Sequence, residues 1–405
     1  MYPILSTMIE RDISGALKKV AQMFPVVTVT GPRQSGKTTL CRAVFKGHPY
    51  VSLENLDQRE FALNDPRGFL SQFSNGAVID EVQRAPDLLS YLQGMVDHEP
   101  EHGRWILTGS QNFQLASSIR QSLAGRTAVL ELFPLTWNEI SKFSKHPQTL
   151  EESLFYGGYP RIFDKEIPPS SWLSNYVRTY IERDVRSITN VGDLIAFQRF
   201  VQLCAGRTSQ LLNHSSLAGD CGITQPTAKS WSSILEASFI SFRLLSFHGN
   251  IRKRLVRMPK MHFYDSGLVC WFLGIQSPEQ LCTHPLRGAI FETWVVSEFV
   301  KHYANRGKTS RLLSFYRDQN GAEVDLIIHD PPNQLTLLEA KSGKTASSDF
   351  LKGIHRVRKH FQDSSYQCTS KVIYGGDDLQ TRQQASLIPW RKIHSTLFHK
   401  HLTFK

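Results

Sequence analysis

Residues 31 to 38 read Gly31-Pro32-Arg33-Gln34-Ser35-Gly36-Lys37-Thr38 and meet the phosphate-loop pattern GxxxxGK[ST] at every required position. Few short patterns constrain a fold as much, because this one needs a strand before it and a helix after it. The glycines let the backbone curl so that successive N–H groups face a phosphate. Lys37 reaches the β- and γ-phosphates, and Thr38 offers a hydroxyl to Mg²⁺. The run Val26 to Thr30 predicts a buried strand, and Lys37 to Phe45 a helix whose N-terminal dipole favours an anion. ATP and Mg²⁺ are the expected ligands, with Gly31, Arg33, Gln34, Ser35, Gly36, Lys37, Thr38 and Thr39 as the nucleotide-binding residues.

The next segments point to hydrolysis. Gly76 to Glu81 is a short apolar strand ending in two carboxylates. Asp80 fits the acid that holds Mg²⁺ alongside Thr38, and Glu81 the base that polarises the attacking water. A third strand, Trp105 to Thr108, ends in Gly109-Ser110-Gln111-Asn112. A polar side chain there belongs between the carboxylates and the γ-phosphate, with Ser110 the first choice and Thr108 and Asn112 behind it. Ile9, Ile13, Leu17 and Val20 form a stripe at helical spacing, and strands alternate with helical segments through residue 132. That alternation predicts an α/β domain with a parallel sheet. Arg126, before the strand Ala128 to Leu132, reads as an arginine finger acting on a neighbouring subunit. It also reads as a helix-end cation favoured by the dipole. Arg120 is a weaker finger candidate. Gly157-Gly158-Tyr159-Pro160-Arg161 suits a helical lid, where Arg161 either touches the nucleotide or simply ends a turn.

The chain has 405 residues, enough for two or three domains, and a formal net charge of +11. That balance suggests a polyanionic partner, most often nucleic acid. Residues 243–260 hold Arg243, Arg252, Lys253, Arg254, Arg257 and Lys260 with no acid, and a second basic run spans 341–360. No run of about 18 apolar residues exists, so no membrane-spanning helix is expected. No charged region followed by an apolar stretch opens the chain, and the scattered cysteines form no CxxC pair. A cytoplasmic location without structural zinc is the expectation.

Ser215 to Asp220, the turn Cys221-Gly222-Ile223 and Thr224 to Leu235 have helix-turn-helix spacing. Phe239 to Phe247 and Met261 to Tyr264 are strand-like and flank a basic tip from His248 to Lys260, which makes a winged helix. Lys229, Arg252, Lys253, Arg254 and Arg257 are the expected DNA contacts; protein–protein docking is the other use of such a module. Further on, Glu323-Val324-Asp325 and Glu339-Ala340-Lys341 lie on strand-like segments. Side chains at i and i+2 of a strand share a face, so Glu339 and Lys341 project together. With Asp325 on a paired strand and Glu292 on the helix before it, the four would form a nuclease-like site. Asp325 and Glu339 are its expected metal ligands. Ordinary strand-end charges are the alternative.

Taken together, these motifs resemble a bacterial and archaeal AAA+ ATPase family with a winged helix and a C-terminal domain of the PD-(D/E)xK nuclease superfamily. That superfamily includes Holliday junction resolvases. The marks are the phosphate loop, Val78-Ile79-Asp80-Glu81, Leu107-Thr108-Gly109-Ser110, Leu123-Ala124-Gly125-Arg126, Gly157-Gly158-Tyr159-Pro160, Tyr264-Asp265-Ser266-Gly267-Leu268, Glu323-Val324-Asp325 and Glu339-Ala340-Lys341. The "PD" proline is missing, since Val324 precedes Asp325. The resemblance implies an α/β fold in four parts: an AAA+ P-loop core (1–140), a helical lid (141–205), a winged helix (206–275) and a restriction-endonuclease-like domain (276–405). It also implies a homo-oligomeric ring, expected to be a hexamer. The expected function is ATP-driven binding and remodelling or translocation of DNA, duplex or branched. An ATP-regulated, metal-dependent nuclease in defence or nucleic-acid signalling is the alternative.

Overall fold

The computed structural model describes residues 9–110, 121–181, 193–247, 258–362, 364–382 and 385–398. The chain divides into two compact units. The first is Met1–Leu135 with Ala237–Phe239 and Tyr303–Lys308; the second is Thr136–Glu236, Ile240–His302 and Thr309–Lys405. The expected lid, helix-turn-helix region and C-terminal domain therefore share one unit.

In the first unit, β1 (Val26–Thr30), β2 (Tyr50–Ser52), β3 (Ala77–Asp80), β4 (Trp105–Thr108) and β5 (Thr127–Glu131) form one sheet in the order β2-β3-β4-β1-β5. All its pairings are parallel, so every strand ends on the same edge. All five residues of β1 are buried. Alternation sends them to opposite faces. Val26 joins Ile79, Leu107, Leu88 and Leu92 in one core cluster. Val27 and Val29 join Val78, Ile106, Ile13, Leu17 and Leu40 in the other. The amphipathic stripe near the start of the chain packs into that second cluster, although its helix begins only at Ser14 and leaves Ile9 outside it.

In the second unit, the helix Leu194–Gly206 supports the paired helices His214–Cys221 and Gln225–Ala237. Gly222, at φ +71°, makes the left-handed turn between the pair, which a Cβ would strain. Ala228 and Trp231 are buried, with Trp231 edge-on to Phe197 and Phe200. Two antiparallel strands follow, β6 (Ser241–Leu244) and β7 (Lys260–Phe263). The long helix Arg287–Ala304 is buried along most of its length.

The second unit's large sheet contains β8 (Leu313–Arg317), β9 (Glu323–Asp330), β10 (Gln334–Lys341), β11 (Gln367–Tyr374), β12 (Gln380–Thr381) and β13 (Ser386–Pro389). Their order is β12-β13-β11-β10-β9-β8. The pairs β8–β9, β9–β10 and β12–β13 are antiparallel, and β10–β11 and β11–β13 are parallel. The helix Lys352–His360 covers this sheet through Ile354 and Val357. Among the described residues no helix is long and apolar enough to cross a membrane.

Candidate functional site

The parallel sheet explains the first site. The phosphate loop leaves β1, and the acids leave β3, two strands away in the same sheet, so both meet at one edge. Gly31 (φ +143°) and Gly36 (φ +95°) take the backbone conformations the loop needs. A Cβ on Gly31 would lie 2.2 Å from the Leu132 carbonyl.

Lys37 is buried and donates to the carbonyls of Gly31 (3.0 Å) and Pro32 (2.8 Å). Burial lowers its ammonium from the usual 10.5 to about 8, against the opposing pull of Glu81 and Asp80. Ser35 Oγ is buried and makes no hydrogen bond within the protein. Thr39 is exposed, and Arg33 and Gln34 are half-buried at the loop's crest.

Asp80 is buried and accepts three hydroxyls: Thr38 Oγ1 at 2.9 Å and Tyr50 at 2.7 Å on Oδ2, with Thr108 Oγ1 on Oδ1. These fix its orientation beside the loop. Burial and the Asp80 hydrogen bond push the Tyr50 phenol up to about 12, so it remains a donor. Glu81 sits at φ +57°, and its carboxylate accepts from Gln83 Nε2, which also donates to Ser110 Oγ at 3.1 Å. Ser110 thus reaches Glu81 through Gln83, while Thr108 contacts Asp80 directly. Asn112 and Arg120 lie outside the described residues.

Sequence reading missed Gln83, Tyr50 and Arg11. Arg11 donates to the carbonyls of Ser35 (2.7 Å) and Phe133 (2.8 Å), bracing the phosphate loop from outside the motif. Only a charge flanking an apolar stripe marked it. Arg126 is bound within its own chain: its guanidinium grips Asp97 at 2.5 and 2.9 Å, and that hydrogen bonding lowers the Asp97 carboxyl.

In the second unit Arg161 is exposed. The turn before it is tied down by Asp265, which accepts the N–H groups of Gly158 (2.7 Å) and Leu268 (3.0 Å). A Cβ on Gly157 would fall 2.3 Å from Asp265 Oδ1. Tyr159 is fully buried, against Trp172 and Tyr176. The two sequence motifs are therefore halves of one packed joint. On the helix Gln225–Ala237, Gln225, Lys229 and Ser230 are exposed. Arg252, Lys253, Arg254 and Arg257 lie outside the described residues.

The four nuclease-like residues do converge. Asp325 Oδ2 accepts the Ala340 N–H at 2.9 Å, Glu339 hydrogen-bonds Asp325, and Lys341 Nζ lies 2.9 Å from Glu339. Burial and the neighbouring Asp325 push both Glu339 and Glu292 up. The centre of the cluster, however, is Lys260. The basic tip was expected to run through it in the open; instead it opens β7 and is 2% exposed. Its ammonium meets Glu292 (2.8 Å), Glu323 and Asp325 (3.9 Å). Glu323 was also missed, although it shares a strand face with Asp325 by the same i, i+2 rule. Among the described residues no three His, Cys, Asp or Glu side chains are placed to share a metal ion. Asp325, expected as a metal ligand with Glu339, has the Lys260 ammonium 3.9 Å away instead.

A family model described as an AAA domain matches residues 23–141. Two domains of unknown function, DUF8612 and DUF4143, match residues 147–279 and 287–393. Uncharacterized protein Rv2008c of Mycobacterium tuberculosis and uncharacterized protein Mb2031c of Mycobacterium bovis are each 31% identical over 321 residues, covering 78% of this chain and 70% of the relative. Among solved structures, the Walker-type ATPase PABY2304 of Pyrococcus abyssi is 14% identical, with a TM-score of 0.45 over 65% of this chain and 96% of that one.

Proposed function

This chain belongs to the same family as the two mycobacterial proteins and carries an AAA domain, and on that premise we infer that it couples ATP hydrolysis to remodelling or translocation of DNA. It is an ATPase, and the residues at the sheet edge divide the work. Lys37 binds the β- and γ-phosphates in exchange for its carbonyl partners, and the loop N–H groups hold the phosphate oxygens. Glu81 takes the proton of the attacking water. Gln83 links that base to Ser110, so a γ-phosphate that engages Ser110 shifts the hydrogen bond holding Glu81 in place. The donors fit Mg²⁺: Thr38 and Asp80 are already 2.9 Å apart and would hold it. When bound, it supplies positive charge at the phosphate oxygens. A homo-oligomeric ring, a hexamer in this reading, would let Arg126 leave Asp97 and act on a neighbour's γ-phosphate.

DNA is supported by one observation above all. The helix Gln225–Ala237 presents Gln225, Lys229 and Ser230 to solvent. It precedes a strand pair whose connecting residues 248–257 carry Arg252, Lys253, Arg254 and Arg257 with no acid. Such a composition suits phosphate contact with little sequence preference. The metal-dependent nuclease alternative runs against the contacts of Lys260.

The test is ATP turnover measured with linear, forked and four-way DNA. Stimulation by at least one of them, lost in Arg252→Ala/Lys253→Ala/Arg254→Ala and falling steeply with salt, is expected. Turnover indifferent to all three, with no DNA bound at low salt, overturns the DNA reading and leaves a protein-docking module.

A further inference from the structure

The acidic cluster of the second unit holds a cation supplied by the chain itself. Lys260 Nζ is surrounded by Glu292, Glu323 and Asp325, and the Phe315 ring lies 5.6 Å away. Its side chain is 3% exposed, so the ammonium cannot reach a solvent-borne phosphate from where it sits. A lysine buried this deeply keeps its charge only when carboxylates compensate it, because an unpaired ammonium bears the full loss of hydration.

The remaining groups are satisfied as well. Lys341 neutralises Glu339, and Arg317 approaches Glu323 at 3.4 Å. Asp325 accepts the Ala340 N–H and lies beside Glu339. Four carboxyl groups thus face three basic side chains. Gly353 closes the cluster sterically: a Cβ there would lie 2.3 Å from Glu339 Oε1. The helix Lys352–His360 therefore sits directly on the carboxyl.

We propose that Lys260 is the resident cation of this site, taking the position a divalent metal would need and holding the domain in a form that does not bind Mg²⁺. Two consequences follow from the chemistry. A metal can enter only in exchange for the ammonium, since three of the carboxylates already point at Lys260. And β7, which carries Lys260 as its first residue, is pinned to β9 and to the helix Arg287–Ala304 by charge as well as packing. This inference is independent of the DNA reading: a site closed by Lys260 neither requires nor forbids DNA elsewhere on the chain.

The experiment is Mn²⁺ titration of the full, nucleotide-free chain followed by electron paramagnetic resonance, comparing the protein with Asp325→Asn. The difference between the two isolates Mn²⁺ held by this cluster from any held at the phosphate loop. The expected result is no difference in the protein with Lys260 in place. Lys260→Met should gain one Mn²⁺ per chain, lost again in Lys260→Met/Asp325→Asn. An Asp325-dependent Mn²⁺ in the protein that retains Lys260 overturns the proposal, and so does a folded Lys260→Met that binds none. Should Lys260→Met fail to fold, Lys260→Gln takes its place. The comparison that keeps Lys260 remains decisive in either case.

Discussion

Replacing Lys37 by methionine should make the nucleotide-free ATPase unit more stable while destroying its affinity for ATP. The lysine is 7% exposed, and burial lowers its ammonium from 10.5 to about 8. A shift of that size corresponds to about 3 kcal/mol of cost for keeping the charge in the fold, at about 1.4 kcal/mol per unit. Methionine fills a similar volume without charge. Loss of the bonds to the Gly31 and Pro32 carbonyls returns about 1 kcal/mol in all, so the net gain is about 2 kcal/mol. In a domain of this size that raises the melting midpoint by about 4–8 °C. The sign of the pH dependence follows from linkage. Below the folded value of about 8 the lysine is charged in both states and the penalty is complete. Between that value and 10.5 the folded state sheds its proton first, so native stability rises with pH and the advantage of methionine shrinks, approaching zero near about pH 9.5. Calorimetry in EDTA at several pH values measures both effects, and fluorescent-nucleotide titration measures the lost affinity. A Lys37→Met protein that melts below the parent near neutral pH, or a gap that does not narrow on raising the pH, refutes the reasoning.

Glu81→Gln should retain ATP binding and lose turnover by about 10²- to 10⁴-fold, because it removes the base but leaves Asp80 and Thr38 in place; single-turnover hydrolysis at the parent's rate would show that another group activates the water. Arg126→Ala should slow turnover by roughly 10³-fold if its guanidinium leaves Asp97 to act across a subunit interface, and mixing it with Glu81→Gln should restore part of the rate. Normal turnover in Arg126→Ala, at every protein concentration, would leave the Asp97 pair as its whole role.

The nucleotide site was legible because its chemistry is written in short contiguous stretches. A phosphate loop works through the backbone of eight successive residues, and a metal-binding acid through the end of one strand. Local pattern therefore picked out Gly31 to Thr38, Asp80 and Glu81 as candidates, and the sheet brings the loop and Asp80 together at one edge. The i, i+2 alternation likewise put Glu339 and Lys341 on one face. What sequence left open were pairings between distant residues whose identity carries no mark of their partner. Arg11 and Phe133 are 122 positions apart, and Gly158 and Asp265 are 107 apart. Gln83 looked like any polar residue after a strand until Ser110 lay beside it. Lys260 shows the difference most sharply. In sequence it closes a run of basic residues, and a run of like charges belongs in water. In the fold it begins a buried strand where three carboxylates meet, and there its charge is retained because desolvation is offset by those partners. Residue type and spacing determined which groups this chain has for binding phosphate; only tertiary packing decided which of its charges face solvent and which neutralise one another, because burial and pairing are properties of the folded surface and not of the segment.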